Sequence, residues 1–232
     1  MDVQILQLIE GAKRAEGLTV VIDVLRAFSL ECFLAHWGAA ELRPVGALEA
    51  AFAWRERDPA ALLVGERGGA KCEGFDFGNS PSGIPPEAVR GRRIIHTTSA
   101  GTQGVANAVR ADEIVTGSLV NAAAVAAYIR RRDPERVSLV CMGNAGVREA
   151  PEDLLCAAYI RSLLLGEPIP DLEARIRDLR WHGGEHFFNP DTQQIYPEPD
   201  FWLCTKRDLF PFVLRACRDD LGLYMEKVDC KS

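Results

Sequence analysis

The 232-residue chain has no run of about 18 uninterrupted apolar residues, so the sequence offers no membrane-spanning helix. It has no basic run either. The formal charge is −6 at pH 7, and without a cationic track there is no counterion release to drive nucleic-acid binding. It has no CxxC pair. Cys32, Cys72, Cys141, Cys156, Cys204, Cys217 and Cys230 are odd in number and scattered, several of them inside apolar runs. That pattern points to reduced thiols and a cytoplasmic location rather than a disulfide framework. The opening "MDVQILQLIEGAKRAEG" carries an acid at position 2 and reads as a strand plus a loop, not as a signal peptide. There is no internal repeat and no low-complexity segment. What is there is a chain 47% apolar and 26% charged, enough for a sizeable core. It reads as a single domain over 1–232, or as two lobes dividing near 86–91.

Short apolar runs alternate with helical patterns. "LTVVIDV" (18–24), "ELRPVG" (41–46), "ALLVGE" (61–66), "RRIIHTT" (92–98), "DEIVTGS" (112–118) and "RVSLVCMG" (136–143) read as strands. Helical patterns fall at 29–40, 47–58, 101–110, 121–133 and 151–166. The Gly- and Pro-rich stretch 67–86 reads as a loop, as does 181–200. In the last third, 171–180 and 206–220 look helical and "LYMEKVD" (223–229) reads as an edge strand. The alternation predicts an α/β fold: a layered α/β/α arrangement with a mostly parallel or mixed sheet. In such sheets sites form at the carboxyl ends of strands.

Polar residues collect at those ends. Asp23 and Arg26 follow the first long strand, Glu66 and Arg67 end another, and "GFDFGNSP" supplies Asn79 and Ser80. "HTTSAGT" supplies Thr97, Thr98, Ser99, Gly101 and Thr102. Asn121 follows "IVTGSLV", and Glu152 and Asp153 open a helix. Carboxylates hold Mg²⁺ through oxygen, arginines clamp oxyanions in a bidentate way, and small residues at a helix start bare N–H groups to an anion. Together these are the parts of a site for a small anionic phosphate ester. Each residue also has a plainer reading. Asp23 could cap a turn, Arg26 could neutralise it, and Glu66 with Arg67 could be a surface pair. Ser99 and Asn121 suit N-caps, and Glu152 and Asp153 suit the first turn of any helix.

Three spellings carry competing chemistry. "GERGGAKC" (65–72) lacks the second Gly and the hydroxyl of a P-loop, and no helix follows it. "HGGEH" (182–186) has a zinc-site spelling, but adjacent glycines break the helix it needs. "LVCMGNAGVR" (139–148) resembles the loop of cysteine-dependent phosphatases, with Cys141 as nucleophile and Arg148 on the phosphate. It has six residues between them where that loop has five, and Glu149 follows Arg148.

"VVIDVLRA", "GER-G", "GFDFGNSP", "HTTSAGT", "GSLVNA" and "PEDLLCAA", in this order, make the chain resemble the 2-phosphosulfolactate phosphatase family. The resemblance implies a Mg²⁺-dependent phosphatase that converts 2-phosphosulfolactate to sulfolactate and phosphate, a step toward coenzyme M. On that expectation Asp23, Arg26, Glu66, Arg67 and Asp153 are catalytic, with Asp23, Glu66 and Asp153 as metal ligands. Asn79, Ser80, Thr97, Thr98, Ser99, Gly101, Thr102 and Asn121 would bind substrate. Another small phosphate ester as substrate, the Cys141 mechanism and a non-catalytic anion binder stand as alternatives. A chain of this size also suits a homo-oligomer.

Overall fold

The computed structural model describes residues 1–230. In chain order its elements are β1 (Asp2–Gln7), α1 (Leu8–Arg14), β2 (Gly17–Ile22), α2 (Ala27–His36), β3 (Glu41–Pro44), α3 (Leu48–Arg57), β4 (Leu62–Arg67), β5 (Ala70–Lys71), α4 (Pro86–Val89), β6 (Arg93–Thr97), α5 (Gly101–Asn107), β7 (Ala111–Gly117), α6 (Ala122–Arg132), β8 (Arg136–Cys141), α7 (Pro151–Leu165), α8 (Leu172–Asp178), α9 (Glu198–Cys204), β9 (Phe212–Asp219) and β10 (Gly222–Asp229). Among the described residues the strands form one ten-stranded sheet in the order β1-β8-β2-β7-β9-β10-β3-β6-β4-β5.

The α/β reading rests on a period of two. Along β2, Val20 and Ile22 pack with Val125 of α6 and Ile160 of α7, while Val21 between them packs with Ala12 of α1 and Val105 of α5 on the other face. In β6, Ile94 meets Leu30 and Leu34 of α2, and Ile95 meets Ala51 and Trp54 of α3. Both faces are therefore covered, and the β-branched runs are apolar throughout because neither face sees water. Each Val or Ile so buried contributes about 1.5–3 kcal/mol.

The sheet is mixed in a way that matters for the site. β1, β8, β2 and β7 are parallel to one another, as are β3, β6 and β4. The β9–β10 hairpin joins the two groups antiparallel on both sides, so the groups run in opposite directions. Its ladders to them are short: Val115↔Arg215 and Thr116↔Leu214 on one side, Met225↔Leu42 on the other. In a flat sheet the carboxyl ends of the two groups would lie at opposite edges. Residues that follow strands of both groups nevertheless line one cavity.

Three expectations from the sequence are corrected here. Residues 206–220 do not form a helix. Pro211 disfavours helix at the residue before it, and 212–219 become β9, paired along its length with β10. The segment 223–229 is a strand, but an interior one, between β9 and β3. The N-terminal loop contains α1, a seven-residue helix whose central Gly11 weakens its signal.

Candidate active site

A cavity of about 340 Å³ lies where the carboxyl ends of β2, β8, β4 and β6 converge. Asp23, Arg26, Glu66, Asn79, Ser99 and Asp153 line it, as expected from the sequence. Asn144, Arg148, Glu152, Glu185, His186 and Tyr196 line it as well.

Asp23 follows β2. Its Oδ1 accepts the Ala27 N–H at the start of α2, 3.0 Å away. Burial, reinforced by the neighbouring Asp153 charge, pushes its carboxyl up from 3.8 to about 8. Asp153, in the first turn of α7, spans two strand ends: Oδ1 accepts the Val24 N–H and Oδ2 the Gly143 N–H, each at 2.8 Å. Burial, with the Glu152 charge behind it, raises its carboxyl to about 8. Glu152 is also buried, and its Oε2 has no hydrogen-bond partner among the described residues. Burial, then the charges of Asp23 and Glu185, raise it to about 7. Glu66 binds the backbone of two loops. Oε1 accepts the Ser99 N–H at 2.6 Å, and Oε2 accepts the Gly69 N–H at 2.6 Å and the Ser99 hydroxyl at 3.2 Å.

Arg26 is buried, and its partner is Asp200 at the head of α9 rather than Asp23. Nη1 lies 2.7 Å from Asp200 Oδ2, whose other oxygen accepts the Ser82 N–H at 2.8 Å. The guanidinium also sits over the rings of Phe187 and Tyr196, 5.6 and 5.2 Å from their centroids. Asp200 thus ties Arg26 and the loop before α4 to the C-terminal third. Burial of the His186 imidazole, then the Arg26 charge, push its pKa down. Arg148 is the contrasting cation: it is exposed at the cavity rim and has no side-chain ion pair or hydrogen bond among the described residues.

The remaining residues singled out in the sequence lie beside or behind the cavity. Arg67 turns away, donating to Thr97 Oγ1 at 2.9 Å and to the carbonyls of Glu66 and Gly46. Thr98 and Thr102 satisfy each other: the Thr98 N–H donates to Thr102 Oγ1 at 2.9 Å, and the Thr102 N–H to Thr98 Oγ1 at 3.2 Å. Most hydroxyls of "HTTSAGT" therefore organise the turn into α5, and Ser99 is the one that reaches the cavity. Gly101 opens α5 against Asp23, where an added Cβ would sit 2.9 Å from Oδ2. Ser80 caps the short turn Pro81–Gly83. Asn121 accepts the Ser118 N–H through Oδ1 at 2.9 Å.

Cys141 does not line the cavity. It is buried in the core with Cys156 and Ile160, and burial drives its thiol far above the range where a thiolate forms. Arg148, noticed in the sequence as that cysteine's partner, is at the cavity without it. Asp200 and Tyr196 gave no signal in the sequence, and His186 stood out only within the zinc-site spelling "HGGEH". Glu152 had a signal, but an acid after Pro151 suits any helix start.

The comparisons with known proteins agree on one family. A family model described as 2-phosphosulpholactate phosphatase matches residues 3–182. A relative from Caldicellulosiruptor saccharolyticus, named "Probable 2-phosphosulfolactate phosphatase", is 37% identical over 230 residues, covering 92% of this chain and 93% of its own. One of the same name from Deinococcus radiodurans is 42% identical over 170 residues, 72% of this chain and 70% of its own.

Proposed function

The chain belongs to the 2-phosphosulfolactate phosphatase family, and from that premise we propose that it hydrolyses 2-phosphosulfolactate to sulfolactate and phosphate in the cavity between Asp23 and Arg148. The observation that carries this reading is the pairing in one cavity of Arg148 with Glu152 Oε2, both without a side-chain partner among the described residues. A phosphate ester needs the first, and it is repelled by the second unless a cation intervenes.

The family's implied Mg²⁺ is consistent with this donor set. Asp23 keeps Oδ2 and Glu152 keeps Oε2 clear of hydrogen bonds, and both carboxyls are raised by burial. Among the described residues no group of three or more His, Cys, Asp or Glu is arranged to hold a metal. Mg²⁺ commonly takes one or two carboxylates and completes its shell with water and substrate phosphate. Asp23 and Glu152 are the residues that would hold it, and bound there it would offset charge on the phosphoryl oxygens.

The chain's own residues supply the rest. Arg148 engages an anionic group of the substrate, and Ser99 and Asn79 add neutral hydrogen bonds. Asp153 and Glu66 brace the loops around them by holding backbone N–H groups. Arg26, its charge shared with Asp200, keeps the C-terminal third against the site. The attacking oxygen belongs to a water oriented by Asp23 or to Asp23 itself. The product's place on a route to coenzyme M is part of the same proposal.

The test is phosphate release from racemic 2-phosphosulfolactate with Mg²⁺ and with excess EDTA. Activity should require Mg²⁺, fall by orders of magnitude in Asp23→Asn and survive Cys141→Ser. Activity that ignores EDTA and disappears in Cys141→Ser would overturn this reading in favour of the thiolate.

A further inference from the structure

The cavity wall conceals a hydrogen-bond chain that the roles above leave unused. Asn79 lines the cavity, and its Oδ1 lies 3.3 Å from Nε2 of His96 on β6. Nδ1 of His96 lies 2.8 Å from Glu31 Oε1 on α2. His96 and Glu31 are completely buried, and Glu31 Oε2 has no partner among the described residues.

Proton counting sets the orientation of this chain. With a single proton shared between Glu31 and Nδ1, and none on Nε2, the pair would be a net anion closed off from water, which is costly. One more proton makes it neutral, either as carboxylate with imidazolium or as carboxylic acid with neutral imidazole. In the first form Nε2 carries hydrogen, and in the second it does so with the acid proton on Oε1 facing Nδ1; a proton on Oε2 would instead be a buried donor with no acceptor among the described residues. Nε2 then donates to Asn79 Oδ1, and the Asn79 amide is held with Nδ2 as the half left for the cavity. A bare Nε2 would instead accept from Nδ2 and present a carbonyl oxygen, which repels an anionic substrate. Resting on the reading of the cavity as a phosphate-ester site, we propose that Glu31 and His96 are positioning residues that hold the Asn79 amide as a hydrogen-bond donor to the bound ester.

Two measurements test this. The first is ¹⁵N NMR of histidine-labelled protein, with the His96 signals identified as those that persist in His36→Gln, His182→Gln and His186→Gln. Nε2 should carry a proton, and a bare Nε2 would overturn the proposal without reference to any core variant folding. The second is a kinetic cycle with 2-phosphosulfolactate and Mg²⁺. Asn79→Ala should lower kcat/KM by about tenfold or more, the scale of one hydrogen bond to a charged group. His96→Leu should do the same, and the double variant should be no worse than either. His96→Gln, which keeps a donor near the Nε2 position, should recover part of the loss. If the losses multiply, His96 does not act through Asn79 and the proposal fails; full activity in Asn79→Ala would also sink it. If the wild-type protein releases no phosphate, the proposed function fails, while the NMR result still decides the state of the pair.

Discussion

Two arginines at one cavity do different work, and single substitutions separate them. Arg26 is buried against Asp200, so Arg26→Ala would strand a carboxylate that has no other cation among the described residues. Breaking a buried pair in this way costs about 3–5 kcal/mol, and urea unfolding should show a loss of that order alongside the loss of activity. Arg148 has no such bond, so Arg148→Ala should leave unfolding within about 0.5 kcal/mol of wild type while raising KM. Equal destabilisation by both variants would contradict this division. Asp153 is a third kind of residue. Both its oxygens accept backbone N–H groups, which Asp153→Asn cannot do with its amide nitrogen. One N–H then loses its acceptor, at about 1–3 kcal/mol. Asp23, Glu66 and Asp153 were legible as strand-end and helix-start acids. Arg26 was read as a cation for the substrate or for Asp23; its burial against Asp200 was not legible, because 174 positions separate the partners.

At the scale of elements, α5 joins the two parallel groups. It follows β6 of one group and packs on the face of β2 and β8 of the other, among Val21, Val140 and Met142. Gly104 makes that approach feasible, since an added Cβ would collide with Met142 and Val21. Gly104→Ala should therefore destabilise the protein by about 1–3 kcal/mol, the cost of overpacking. It should also impair turnover, since the start of α5 abuts Asp23. Stability equal to wild type in denaturant unfolding would show that the two faces are less tightly apposed. Most strands were legible from their β-branched apolar runs and most helices from their period, while β5 lay inside the stretch 67–86 read as a loop. Nor was β9 legible: "VLRACRD" contains good helix formers, and only its pairing with β10 and β7 makes it a strand.

For the whole molecule, the buried acids predict a pH response. Asp23 and Asp153 titrate near 8 in the fold against ordinary values of 3.8, and Glu152 near 7 against 4.5. Between those limits the folded protein binds more protons than the unfolded chain, so the slope of stability with pH is negative. With respect to these groups, metal-free protein should be most stable below about pH 4 and should lose stability as pH rises from there toward 8. Added Mg²⁺ should bind the ionised carboxylates and raise the melting temperature more at pH 8 than at pH 6. A Mg²⁺ effect that does not grow with pH would argue against Asp23 and Glu152 as the residues that hold it.

By itself the sequence determined the α/β alternation, the covered faces of the strands and the placing of acids at strand ends, because each depends on residues within a few positions of one another. Composition likewise left no membrane-spanning helix and no cationic track for nucleic acid. The tertiary structure alone decided that the two parallel groups run in opposite directions and that their carboxyl ends still line one cavity. It decided which polar residues of "HTTSAGT" face that cavity and which bond to one another. It also decided that Arg26 answers to Asp200 and Asn79 to His96 and Glu31. Those outcomes depend on long-range geometry, in which a buried charge or amide takes whatever partner the fold brings within about 3 Å.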